Sequence, residues 1–414
     1  MNFLRKQLPG FAIHLLLFLL SLLYAFNAGK IPTIKDYMIY FKVHLEGQWE
    51  VSEGVASAPV LIEESEIESL KGKKRAFLLV KRIQFIPKGK RFELFGNVNT
   101  ENNKVFISTY VWDLERLPER KTLRDFLMEK FKEKVRDEHL RAIGLAFLFG
   151  ESKRNLPVEV ERVFLHTGLI HVLVVSGLHV GLIFLILSRL LPKFYGEVFG
   201  LLGVLFYSAF LVPHNPPVIR ATSMLFFWVL SFLSFRWYCS LCVLFFTGTL
   251  MLSFFPHFFY SYSFWLSFFA VLYILLVLRN FEGGKLAKTL MVSFSAFSGT
   301  APLIASFSFI TPLSVLLTPV LSPLIFAYAL FGVLSLLTAF SFPPSLILMN
   351  LSGEIIFKIL QLFSDFSPKI ISGVDAKEAF TLLVLGAVGL YVTKDYYKLL
   401  PLGVVNLYLI FKIN

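Results

Sequence analysis

Gly168-Leu169-Ile170-His171-Val172-Leu173-Val174-Val175-Ser176-Gly177-Leu178-His179-Val180-Gly181 is the stretch on which the reading of this chain turns. It lies inside an apolar run, Val158 to Arg189, long enough to enter a bilayer, yet it carries two histidines, a serine and three glycines. Hydrocarbon penalises polar groups: a charged residue at the centre of a spanning helix costs about 2.5–3.5 kcal/mol, so intramembrane ionisable groups mark functional positions. On one helix Ser176 and His179 share a face at i,i+3, and Gly177 and Gly181 stand in the small-xxx-small spacing that admits a neighbouring backbone. The plain structural alternative is a packing face whose histidines bond neighbouring carbonyls.

Composition agrees with a membrane setting. Of 414 residues, 56% are hydrophobic, which excludes an ordinary soluble domain. The net charge of +12 fits either lysine-rich cytoplasmic loops or a polyanionic partner. Further apolar runs follow at Val198–Val212, Val218–Phe235, Ser240–Phe255, Phe258–Leu278, Leu286–Phe307, Leu313–Phe340, Ser345–Phe366, Ala379–Val392 and Leu399–Phe411. The expected fold is an α-helical polytopic membrane protein of about ten helical segments, some broken or interfacial.

Four regions are expected. Residues 1–29 form a first transmembrane helix, whose Arg5 and Lys6 place its start in the cytoplasm. Residues 30–118 alternate as short strands, at Tyr37–Leu45, Ala76–Ile86, Arg91–Val98 and Lys104–Val111, and predict a small all-β, OB-like extracytoplasmic domain. Residues 119–157 hold an amphipathic interfacial helix over 121–141 and a linker; residues 158–414 are the main transmembrane domain. Cys239 and Cys242 read as small membrane-helix residues, with no second pair to complete a zinc site.

Three other constellations carry chemistry. Pro213-His214-Asn215-Pro216-Pro217-Val218-Ile219-Arg220 ends one helix and opens another, with Arg220 one turn in; it either snorkels or faces a polar cavity. Gly299 to Pro323 places Pro302, Pro312, Pro319 and Pro323 at membrane depth, where broken backbone needs protein or water to cover it and half-helix N-termini offer dipoles to anions. The alternative there is a kinked helix repaired by Ser and Thr hydroxyls. Basic turns at Lys73, Lys74, Arg75 and at Lys88, Lys90, Arg91 are candidate phosphate contacts, against the default of solvated loops. No H-E-x-x-H or Walker-type loop is present, and no cofactor, metal or catalytic group is expected.

These blocks resemble the ComEC family of competence-domain DNA-uptake proteins. The resemblance rests on Leu148-Phe149-Gly150-Glu151, on Phe164 through Gly181, on Pro217-x-x-Arg220-Ala221-x-x-Met224 and on Ser263-Phe264-Trp265-Leu266-Ser267. The region before 120 resembles that family's outer OB-like domain. Two departures stand out: Thr318 takes the place of a family asparagine, and no H-x-H-x-D-H of a C-terminal metallo-β-lactamase-like domain is present.

The resemblance implies a non-enzymatic channel for single-stranded DNA across the bacterial inner membrane during natural transformation. It also implies lipid contact and partner competence proteins: a DNA receptor and a cytoplasmic DNA-translocating ATPase. His171, Ser176, Gly177, His179, Gly181, Pro217, Arg220, Ser267 and Thr318 would line or shape the path. Phe92, Phe95, Phe106 or Tyr110 would stack bases in the outer domain. Two other classes remain: a permease or exporter of small anions, and an intramembrane hydrolase ligating metal through His166, His171 and His179. Spacings of five and eight residues do not put those three on one helical face.

Overall fold

The computed structural model describes residues 2–412 apart from 31–32, 47–48, 53, 68–69, 72–75, 83–88, 102–103, 118–121, 152–154, 174, 235–238 and 280. The chain divides into two compact units: Gly29–Phe126 with Ser152–Leu156, and Met1–Ala28 with Leu127–Glu151 and Pro157–Asn414.

The smaller unit is a β barrel. Its strands are β1 (Tyr37–Leu45), β2 (Glu50–Ser52), β3 (Val55–Ser65), β4 (Ala76–Lys81), β5 (Arg91–Glu101), β6 (Lys104–Tyr110) and β7 (Leu114–Arg116). Five of them close in the ring β1-β3-β4-β6-β5-β1. Every pairing in the ring is antiparallel except β4 with β6, which run parallel. Period-two alternation builds this shape: Ile39, Phe41, Val43 and Leu45 of β1 are buried, and the register Phe41↔Leu94 and Val43↔Phe92 sets them against the inner face of β5. β3 escapes the sequence reading because Val55-Ala56-Ser57-Ala58-Pro59 hides its alternation in small residues. Pro59 lacks an N–H, but its carbonyl accepts the Glu46 N–H at 2.9 Å.

The helices are α1 (Asn2–Ala28), α2 (Leu123–Lys134), α3 (Glu138–Phe149), α4 (Val158–His166), α5 (Ile170–Leu173), α6 (Gly177–Ser188), α7 (Lys193–Phe210), α8 (Pro216–Leu233), α9 (Ser240–Phe254), α10 (Tyr262–Leu278), α11 (Lys285–Ser298), α12 (Ala301–Ala305), α13 (Ser314–Leu337), α14 (Pro343–Ser364), α15 (Ala376–Val392) and α16 (Leu399–Phe411). Among the described residues, Phe11–Ala28, α8, α13 and α14 are long and apolar enough to cross a membrane. At 1.5 Å per residue α13 reaches about 36 Å, enough for a ~30 Å hydrocarbon core, whereas α6 reaches only about 18 Å. Large apolar side chains face outward, with Val320 69% and Phe411 86% exposed. Water would penalise such a surface; lipid does not. One core gathers Phe18, Phe245, Phe268 and Tyr273, with Phe18 stacked on Phe268 at 4.7 Å.

Four expectations are corrected. The amphipathic segment 121–141 is two helices, because the Asp137 carboxylate accepts the Leu140 N–H at 2.8 Å and caps a new start. The run Val158–Arg189 is not continuous: Gly168, at φ +73°, turns the chain after α4, and a Cβ there would lie 3.0 Å from Ser314 Cβ. Pro319 and Pro323 do not break α13. Pro319 frees the carbonyl of Val315, which accepts the Ser293 hydroxyl of α11 at 2.7 Å; Pro323 frees that of Pro319, which accepts the Ser322 hydroxyl at 2.8 Å. Finally, Cys239 and Cys242 are joined as a disulfide at the start of α9.

Candidate functional site: a cleft between two helices

Ser176 is the N-cap of α6 rather than an interior helical residue. Its hydroxyl accepts the Leu178 N–H at 3.3 Å, and its own N–H donates to His179 Nδ1 at 3.1 Å. The result is a reciprocal capping box in which an imidazole replaces the usual Glu or Gln. A ring nitrogen that accepts carries no proton, so neutral His179 holds its hydrogen on Nε2. That Nε2 is buried and has no hydrogen-bond partner among the described residues. The ring meets Phe147 edge-on, with centroids 4.2 Å apart. His171 is placed otherwise. It sits exposed on the single turn α5, with Nδ1 3.0 Å from the Gly168 carbonyl.

Gly177, Gly181 and Phe184 lie along one face of α6. At Gly177 an added Cβ would stand 2.9 Å from Arg220 Nη2 and 3.4 Å from Ala221 Cβ, so this glycine is what lets the guanidinium approach the helix. Gly181, expected as a close-packing position, faces open space, with nothing within 4 Å of its missing Cβ. Further along, Phe184 meets Trp228 of α8 edge-on at 5.6 Å. A shallow, open cleft of about 300 Å³ lies here, lined by Phe184, Met224, Leu225 and Trp228.

Arg220 borders the lining residue Met224. Asn215 is the N-cap of α8, and Pro216 and Pro217 occupy its first two positions, where a missing N–H costs nothing. That sets Arg220 one turn inside the helix, 8% exposed, so it is buried and does not snorkel. Its Nε donates to Ser267 Oγ of α10 at 2.7 Å, and Nη1 lies 3.9 Å from Met224 Sδ. Among the described residues no carboxylate acts on it. Two sequence blocks far apart, around Arg220 and around Ser267, therefore meet in one contact.

Thr318 is not part of that contact: its hydroxyl turns onto its own helix and donates to the Ser314 carbonyl at 2.6 Å. Phe184 and Trp228 escape the sequence reading. Their signal is spacing alone, at i+7 from Gly177 and i+8 from Arg220. Among the described residues, no three His, Cys, Asp or Glu side chains gather as a metal site.

On the barrel, Lys73, Lys74, Arg75 and Lys88 lie outside the described residues. Lys90 pairs with Asp125 at 3.2 Å, and Arg91 Nη2 with Glu63 at 2.6 Å, a contact that raises the Arg91 pKa. Of the nominated rings, Phe92 is barrel core at 2% exposure, which removes it as a stacking surface. Phe106 is half-buried against Phe77. Phe95 and Tyr110 are exposed, and so is Trp112, which stacks on Tyr110 at 4.9 Å with 3° between planes. The Arg82 guanidinium lies 5.8 Å from the Tyr110 ring centroid.

Comparison with known proteins gives two matches. A family model described as Competence protein matches residues 147–395. A protein of Aquifex aeolicus (strain VF5), described as an uncharacterized protein, is 82% identical over 414 residues, covering 100% of both chains. No solved structure matches.

Proposed function

The chain belongs to the competence protein family, and from that premise we propose that it conducts single-stranded DNA across the bacterial inner membrane. It acts as a conduit and performs no chemistry on the strand. A DNA receptor delivers the strand, and a cytoplasmic ATPase draws it through.

One observation carries this reading: the buried, acid-free Arg220 beside the cleft between α6 and α8. Burying an ion without a counter-charge costs several kcal/mol, so a fold that holds one holds it for use. The short α6, broken from α4 by Gly168 and Ser176, supports the same reading. Irregular backbone persists at membrane depth where protein covers it or water reaches it. The glycine face of α6 and the open side of Gly181 leave room along such a route.

The barrel supports a receiving role. A five-stranded ring with a single parallel pair is compatible with an OB-like barrel, a fold that binds oligonucleotides. Exposed Phe95, Tyr110 and Trp112 offer stacking surfaces worth roughly 1–3 kcal/mol per base. The barrel stands on the extracytoplasmic side if the basic start of α1 stays in the cytoplasm.

The test is uptake of labelled DNA by a competent host whose own channel gene is deleted, complemented with this chain. Wild type restores uptake, and Arg220→Ala and His179→Ala abolish or strongly reduce it. Full uptake by both variants, at equal membrane abundance, refutes the route.

A further inference from the structure

Two positive features converge on one point of the α6–α8 interface. The guanidinium of Arg220 is more than nine-tenths buried. It has five N–H donors, of which Nε is spent on Ser267 and Nη1 meets only the weak acceptor Met224 Sδ. Nη2 stands against Gly177, the first residue of α6. A helix N-terminus carries roughly half a positive charge, and that of α6 keeps its dipole although the Ser176 hydroxyl already accepts the Leu178 N–H. Cation and positive helix end thus face each other with no acid between them among the described residues. Two like charges held close together repel, and an anion that joins them relieves the repulsion.

We propose that Arg220, the Ser267 hydroxyl and the first turn of α6 form a binding site for one phosphodiester group. The inference rests on the conduit reading for the source of that phosphodiester, a passing DNA strand. The pieces match the ligand. A guanidinium fork fits two phosphate oxygens, and the positive end of a helix favours an anion nearby. The adjoining cleft is apolar and aromatic, lined by Phe184 and Trp228, which suits the base or sugar beside the phosphate. Ser267 holds Nε and fixes the plane of the fork. A single site of this kind grips one group at a time. It steps a strand along without trapping it, as conduction requires.

The experiment uses the full chain in neutral phosphatidylcholine nanodiscs. Its probes are a thymidine dinucleotide with one phosphodiester and the same dinucleotide with an uncharged methylphosphonate in its place. Wild type prefers the charged probe by about tenfold or more, the range expected of a hydrogen bond to a charged group. Arg220→Gln loses that preference, and Arg220→Lys, which keeps the charge but not the fork, recovers part of it. A purely structural role would change affinity for both probes alike. If Arg220→Gln does not fold, Ser267→Ala serves instead and reduces the preference.

Equal binding of the two probes by wild type overturns the site, as does an undiminished preference in folded Arg220→Gln. Discs containing phosphatidylglycerol decide the source. If that lipid displaces the charged dinucleotide from wild type, the site belongs to a lipid headgroup and the strand assignment falls. Uptake in the complemented host is scored separately. A charge preference that depends on Arg220, in a chain that restores no uptake, keeps the site and removes the conduit.

Discussion

Gly177→Ala isolates the position of Arg220 from its charge. The new methyl would stand 2.9 Å from Nη2, several tenths of an ångström inside ordinary contact. The guanidinium is the far end of a flexible side chain, so the clash can be relieved without moving backbone. Alanine is also a better helix residue than glycine by about 1 kcal/mol, so the fold should hold. Relief is not free, because Arg220 is tethered through Nε to Ser267 at 2.7 Å. Turning the fork away weakens a hydrogen bond from a charged donor, worth about 1.5–3 kcal/mol. That corresponds to a loss of roughly tenfold to a hundredfold in a step that depends on the contact. Gly181→Ala is the matched control, since its methyl enters open space on the same face. The assay is DNA uptake in the complemented host, with thermal unfolding in detergent to score the fold. Gly177→Ala should unfold near the wild-type temperature and take up at least about tenfold less DNA. Gly181→Ala should match wild type in unfolding temperature. Wild-type uptake by Gly177→Ala would refute the reasoning, because it would show that the place of the fork does not matter.

Other outcomes follow from particular contacts. Ser293→Ala strips the Val315 carbonyl of the donor that replaces the missing Pro319 N–H, and should cost about 1–3 kcal/mol in thermal unfolding. Lys398 is buried, and its ammonium donates to the carbonyls of Leu276 and Leu390 near the ends of α10 and α15. Lys398→Met should lower the unfolding temperature by an amount equivalent to at least about 1.5 kcal/mol. In the barrel unit, Thr122 and Asp125 form a reciprocal cap at the start of α2. Burial pushes the Asp125 carboxyl up, but hydrogen bonds from the Thr122 side chain and backbone, with the Lys90 ammonium, bring it below its ordinary value. A carboxyl lowered in the fold contributes stability above its unfolded pKa and loses it as pH falls through the folded one. Melting followed below about pH 4 should therefore show a decline that Asp125→Asn reduces. Tyr110→Ala with Trp112→Ala should weaken binding of oligothymidylate by the full chain by roughly 1–3 kcal/mol per ring removed, read by fluorescence anisotropy.

Much of the site was legible in the sequence, though under the wrong geometry. Ser176 and His179 do interact at i,i+3, but as cap and third residue of a helix start rather than as a stripe along a continuous helix. Periodicity cannot distinguish the two, because both need the same spacing. The barrel strands β1, β4, β5 and β6 were readable because each alternates large apolar with polar residues. β3 was not, because alanine, serine and proline carry too little hydrophobic contrast. The prolines of α13 advertised a break that hydroxyls from Ser293 and Ser322 repair, and one of those lies on another helix.

Composition and local pattern point to lipid as the solvent, since water penalises a surface this apolar, and they single out the polar residues that stand among apolar neighbours. Those are properties of single side chains and their immediate neighbours. Which polar groups find partners is decided across the fold. Arg220 meets Ser267 of another helix and stands against Gly177, while finding no acid among the described residues. His179 turns one nitrogen to a backbone N–H and leaves the other without a partner among the described residues. Pairing is a matter of distances of about 3 Å between segments far apart in the chain, and hydrogen bonds and charges are felt at that range.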